Sequence, residues 1–172
     1  DNFNGFGKYI WEDGEEYEGD WKDDDRHGFG TQKYANGNIY RGEWKNDKRE
    51  GKGTFYLKNG DRFEGTWVED VVQPQVKIRY ENGEWYEGEI NNEKSLERNG
   101  KGTLFYANRD VYQGDWGNNK RNGYGEMNYI DGSKYAGGWK NDQRDGEGVF
   151  TSKNGKITRG IWKNDEIEEI IR

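Results

Sequence analysis

Large and small residues alternate along this chain more regularly than apolar and polar ones do. From Asn38 to Gly60 the sequence reads NIYRGEWKNDKREGKGTFYLKNG. Tyr40, Gly42 and Trp44 fall on alternate positions, with Arg41 and Glu43 between them. A period of two places the first three on one face of a strand and the charged pair on the other. The polar run KNDKR then supplies turn residues. Gly51 and Gly53 open a returning strand, and the closing KNG suits a left-handed turn position. The stretch therefore predicts a β-hairpin.

The same hairpin recurs. The glycine between two large residues stands at Gly19, Gly42, Gly65, Gly88, Gly114, Gly137 and Gly160, in steps of 23 residues with one step of 26. Two positions before it are Tyr17, Tyr40, Phe63, Tyr86, Tyr112, Tyr135 and Thr158; two after it are Trp21, Trp44, Trp67, Ile90, Trp116, Trp139 and Trp162. A G-x-G pair follows in most units, and Gly5/Gly7 is that pair from a unit lacking its first half. Three extra residues of the fourth unit lie within NNEKSLERNG, which lengthens a turn and spares both strands. Fixed-period repetition of a hairpin predicts an all-β fold: an elongated, curled, single-layer antiparallel meander of roughly fourteen strands. The array spans 1–164, with a partial unit at 1–16, full units from 17, 40, 63, 86, 112 and 135, and a partial unit at 158–164.

Glycine within a strand marks a close approach by another group. Both glycines of each pair are expected beneath the rings of the facing Tyr and Trp, so that one layer builds its own thin core. The third unit departs from this rule, with Pro74 and Val76 at the two glycine positions beside Val71, Val72 and Ile78. That reads as a unit repacked with aliphatics, the alternative being a bend or docking point. At the end, Ile167, Ile170 and Ile171 have helical spacing, and residues 165–172 read as a cap or the start of a further helix.

Composition sharpens this picture. Hydrophobic residues make up 29% and charged residues 35%, a balance that on its own suggests disorder. The 8 Trp, 12 Tyr and 7 Phe counter it, since each ring buries a large area. Net charge is −7, with no concentrated basic footprint, so nucleic acid is not an expected partner. There is no Cys, and no segment has the length or apolarity to span a bilayer. The opening DNFNGFGKY reads as the middle of a unit, hence as part of a longer chain.

Chemistry is sparse. His27 is the only histidine and lies beside a turn. DWKDDDRHG lacks the alternating ligands and twelfth-position Glu of a calcium loop. The glycines fit neither phosphate-loop nor dinucleotide patterns. Glu18, Asp20, Glu43, Glu64, Glu87, Glu89 and Asp115 read as solvated charges on the outer face. No enzyme activity, metal or cofactor is expected.

The units YEGDWKDDDRHGFGTQKYANG, YRGEWKNDKREGKGTFYLKNG and YQGDWGNNKRNGYGEMNYIDG resemble the MORN (membrane occupation and recognition nexus) repeat. The resemblance implies a non-catalytic scaffold or adaptor in a cytoskeletal, axonemal or junctional assembly. It also implies cytoplasmic location near cytoskeleton, cilium or membrane, and arrays of this kind self-associate. The docking surface is expected on the rungs Tyr17, Trp21, Tyr40, Trp44, Phe63, Trp67, Tyr86, Tyr112, Trp116, Tyr135, Trp139 and Trp162, which equally serve as structural rungs. A helical or extended segment of a partner protein would lie on them. Two alternatives stand beside this one. One is a membrane-targeting module whose turn bases Lys45, Lys48, Arg49, Lys120 and Arg121 meet acidic phospholipid. The other is the regulatory array of a larger enzyme such as a lipid kinase.

Overall fold

The computed structural model describes residues 2–171. Among the described residues there are sixteen strands and no helix. Two compact units divide the chain, residues 1–81 and 82–172. The first holds β1 (Gly5–Ile10), β2 (Glu16–Lys22), β3 (Asp25–Lys33), β4 (Ile39–Lys45), β5 (Lys48–Tyr56), β6 (Arg62–Val68), β7 (Val71–Val72) and β8 (Gln75–Arg79). The second holds β9 (Trp85–Ile90), β10 (Arg98–Phe105), β11 (Val111–Gly117), β12 (Lys120–Asn128), β13 (Lys134–Lys140), β14 (Gln143–Thr151), β15 (Ile157–Lys163) and β16 (Glu166–Ile170). In each unit every strand pairs antiparallel with its sequence neighbour, except that β7 and β8 both pair with β6. The fold is the expected antiparallel meander. It exceeds fourteen strands because Glu166–Ile170 adds β16 and a returning strand is split around Pro74 into β7 and β8.

Local geometry follows from turn chemistry. Asp23–Asp24, Asn46–Asp47, Asn118–Asn119 and Asn141–Asp142 all have positive φ at both residues. Such pairs make the two-residue turn whose twist matches a hairpin. At the other end of each hairpin a closing turn places Gly14, Gly37, Gly60, Gly83, Gly132 and Gly155 in the left-handed region. Arg109 occupies that position in one unit, at φ 73°. Tight turns thus line one lateral edge of each unit and closing turns the other.

The two glycines of each pair do different jobs, which corrects the expectation that both lie under rings. Gly42 faces Gly53 across the ladder, and the Tyr40 ring stands where a Cβ on Gly53 would go. Gly51 instead sits at a register shift between Gly42 and Trp44, with φ 70°. A Cβ there would meet the Glu43 carboxylate on the reverse side. The bulge exposes a backbone donor, and that carboxylate satisfies it: Lys52 N–H donates to Glu43 Oε1 at 2.9 Å. Asp20, Glu89 and Asp115 accept from Phe29, Lys101 and Tyr124 in the same way. These acids are bulge caps rather than free surface charges.

The third repeat compensates for its missing glycine. Val72 and Val76 fill the space beside Gly65 that a tyrosine hydroxyl takes beside equivalent glycines, and the residue at the tyrosine position is Phe63, which has no hydroxyl. Val72, Val76 and Ile78 are buried, so this repeat is repacked with aliphatics. Residues 91–97 form the lengthened turn, and Ile90 remains buried in place of Trp. No terminal helix forms over the described residues. Asn164 and Asp165 adopt the same left-handed pair as the other tight turns, and this folds Glu166–Ile170 back as β16 on β15. Turn chemistry overrides helical spacing here.

Candidate functional site

The sequence-predicted rungs are core, not surface. Tyr17, Tyr40, Phe63, Tyr86, Tyr112 and Tyr135 are fully buried, and the tryptophans are nearly so. In the first unit Trp21, Tyr17, Trp44, Tyr40 and Trp67 alternate edge-to-face at 5.0–5.4 Å between ring centroids. Tyr86, Trp116, Tyr112, Trp139, Tyr135 and Trp162 do likewise in the second. Edge-to-face contact suits the opposite charges of ring edge and ring face. Four tryptophans also tie their hairpin to the preceding one: Trp139 Nε1–H donates to Gly125 O at 3.1 Å and Trp116 to Gly102 O at 3.1 Å, as Trp21 does to Gly7 O and Trp44 to Gly30 O. Tyrosine hydroxyls donate to the carbonyl three residues on, as Tyr112 does to Asp115 O at 3.0 Å. Burial pushes the Tyr135 phenol up to about 12, and those of Tyr17, Tyr40 and Tyr112 further.

Arginines roof this ladder. Arg121 Nε donates to Asp142 Oδ1 at 3.1 Å and its Nη2 to Asp142 O, while its guanidinium lies 4.3 Å from the Trp139 ring centre. Arg144 is held by Asp165 over Trp162, and Arg26 by Asp47 over Trp44. Arg98 uses the neutral Asn119 instead and stacks on Trp116 at 4.3 Å. Arg49 is held by Asp70 and is only 8% exposed. Arg49 and Arg121 are therefore structural ties joining consecutive hairpins, and the lipid-headgroup role expected of them does not fit. Of the remaining turn bases, Lys48 meets Glu69 at 3.4 Å, while Lys45 and Lys120 are exposed.

Besides Phe3 and Tyr9, which pack against Trp21, accessible rings of the aromatic face lie at the closing turns. Four residues after the second glycine position stand Trp11, Tyr34, Leu57, Tyr80, Tyr106 and Tyr129, all half-buried. Burial raises the phenols of Tyr106 and Tyr129. Each unit has a cavity on the aromatic face that reaches this edge, the first extending as far as the tight-turn residues Asp24 and Asp47. One of about 490 Å³ is lined by Trp11, Trp21, Asp13, Glu15 and Arg26, among others. The other, about 380 Å³, is lined by Tyr129, Phe150, Asp110, Asp131 and Arg144. Trp11 and Tyr129 are equivalent repeat positions, as are Asp13 and Asp131, and Arg26 and Arg144. An aromatic wall, closing-turn carboxylates and an arginine floor thus recur. The sequence signal was present, as an aromatic at 23-residue spacing, but it was masked by the stronger Tyr-x-Gly-x-Trp pattern. On the reverse face, Phe6, Phe29 and Tyr124 are 53–73% exposed.

Comparison with known proteins agrees with this geometry. No curated protein sequence matches the chain. Among solved structures, the Drosophila melanogaster SAS-4 (dCPAP) TCP domain, in complex with a proline-rich motif of Ana2 (dSTIL), is similar in fold. It has a TM-score of 0.58 and 15% identity, over 92% of this chain and 85% of that one. The G-box domain of the microcephaly protein CPAP has a TM-score of 0.60 and 10% identity, over 90% and 80% of the two chains. The MORN repeat family model matches residues 1–16, 17–39, 40–62, 97–111, 112–134 and 135–157. The stretches it passes over hold Pro74, Val76, Ile90 and Thr158, where the repeat departs from its own rule. The matched residues make up most of the sequence, and the chain belongs to the MORN repeat family.

Proposed function

We propose that the chain is a non-catalytic scaffold that docks an extended segment of a partner protein along its closing-turn edge. One observation carries this reading. The Tyr/Trp ladder is consumed in holding the sheet, whereas half-buried aromatics beside open cavities recur at the closing turns of both units. Rigid aromatic area next to polar groups is the usual anchor chemistry of protein interfaces. The fold-alike SAS-4 TCP domain binds a proline-rich motif of its partner, which supports a segment rather than a globular surface as the ligand. Membership of a cytoskeletal or centriolar assembly fits the same reading.

The phospholipid alternative loses support because Arg49 and Arg121 are committed to Asp70 and Asp142. A photo-crosslinking residue placed at Ser133, beside the cavity, tests the proposal against one placed at Gln113 on the reverse face. Crosslinking in lysate to one defined partner segment from Ser133, and not from Gln113, is the expected result. Equal labelling from both positions, or none, would overturn it.

A further inference from the structure

The closing-turn edge of the second unit carries more information than an aromatic surface alone. Tyr106 and Tyr129 occupy equivalent positions on successive hairpins. Two strands separate them, so their rungs lie about 9.6 Å apart along the array. Among the described residues neither hydroxyl has a hydrogen-bond partner, and neither is sealed from solvent. Each is therefore open to an acceptor on a docked segment. Glu84 and Asp110 occupy equivalent repeat positions two residues before Tyr86 and Tyr112, and arginines act on the two phenols, Arg121 and Arg98 on Tyr106 and Arg144 and Arg121 on Tyr129. Asp110 and Asp131 both line the cavity beside Tyr129 together with Arg144, whose guanidinium is held by Asp165, and Lys153 acts on Asp131. Asp110 accepts from the Ile130 backbone and Asp131 from Ser133, which orients both carboxylates.

These features select a ligand conformation. A polyproline II helix turns once in three residues and rises about 9.3 Å per turn, matching the hairpin repeat. Its carbonyls make no internal hydrogen bonds and can accept from tyrosine hydroxyls; those of an α-helix are already used. A β-strand has a period of two residues, so its every third side chain points to the opposite face. Asp110 and Asp131, lining one cavity, complement a cationic side chain there. We infer that this edge binds a proline-containing partner segment in polyproline II conformation, with an arginine or lysine entering the carboxylate-lined cavity beside Tyr129. The inference rests on the docking reading above and specifies its ligand.

The test uses fluorescence anisotropy of the full chain with synthetic labelled 12-residue peptides repeating Arg-Pro-Pro, Glu-Pro-Pro or Arg-Gly-Ser. Arg-Pro-Pro is expected to bind at least fivefold more tightly than either control. Asp110→Asn, which retains an acceptor for Ile130 N–H, is expected to weaken binding at least fivefold. Tyr129→Phe, which removes only the hydroxyl, is expected to weaken it about threefold. Circular dichroism checks that both variants fold. Equal binding of Arg-Gly-Ser shows unspecific attraction and overturns the inference, as does binding unchanged by Asp110→Asn. If no peptide binds while Ser133 still crosslinks a partner segment, the inference fails and the docking reading stands. If both fail, both are overturned.

Discussion

The hydroxyl of Tyr112 occupies the space that a Cβ on Gly125 would need, and from there it donates to the Asp115 carbonyl at 3.0 Å. Tyr17 with Gly30, Tyr40 with Gly53, Tyr86 with Gly102 and Tyr135 with Gly148 repeat this fit. Each ring covers the backbone of the next strand directly. A single-layer sheet thereby acquires a core without a second layer to pack against.

Gly125→Ala is expected to destabilise the chain by about 1–3 kcal/mol, the usual penalty for overpacking a tight core. Tyr112→Phe in the same chain should recover about 1 kcal/mol of that loss, because it removes the hydroxyl that the added Cβ would meet. Urea unfolding of the two single variants and the double variant measures the coupling.

Arg121→Lys should cost about 1–2 kcal/mol, since lysine reproduces neither the forked bond to Asp142 nor the stack on Trp139. Arg98→Lys should cost less, because its anchor Asn119 carries no charge. Thermal unfolding of the pair gives the ranking.

Arg109→Gly should raise stability by up to about 1 kcal/mol. Arg109 sits at φ 73°, where six equivalent closing turns use glycine and a Cβ is disfavoured. A higher urea midpoint at unchanged slope is the expected readout.

Alkaline pH should unfold the protein cooperatively. Burial raises the phenols of Tyr17, Tyr40, Tyr112 and Tyr135 above the ordinary value of 10.0. The folded chain then holds protons that the unfolded chain releases, so stability is intact below pH 10 and falls as pH climbs toward the folded values. Tyrosinate absorbance and loss of β-sheet circular dichroism should share one transition above about pH 10.

The fold was legible because every unit writes the same hairpin: Tyr-x-Gly-x-Trp, a polar tight turn, a glycine pair, a closing glycine. The terminal segment misled because Ile167, Ile170 and Ile171 carry helical spacing, while the decisive signal was the Asn164–Asp165 turn pair. The role of Gly51 was hidden because a bulge breaks the period of two that placed it under Tyr40. The site was the least legible part. Strand periodicity identifies which face a residue occupies but not what lies over it, so buried rungs such as Trp44 looked like anchors. Arg49 and Arg121 read as free turn charges because their partners Asp70 and Asp142 lie 21 residues ahead, on the next hairpin.

The separation of core rungs from docking surface is tested most directly by comparing Tyr112→Ala with Tyr129→Ala in urea unfolding and in crosslinking from Ser133. Tyr112→Ala should cost about 3–5 kcal/mol, the loss expected of a fully buried ring. Tyr129→Ala should cost no more than about 1–2 kcal/mol yet abolish the partner crosslink. Equal destabilisation by the two variants, or an undiminished crosslink from the folded Tyr129→Ala protein, would contradict the account.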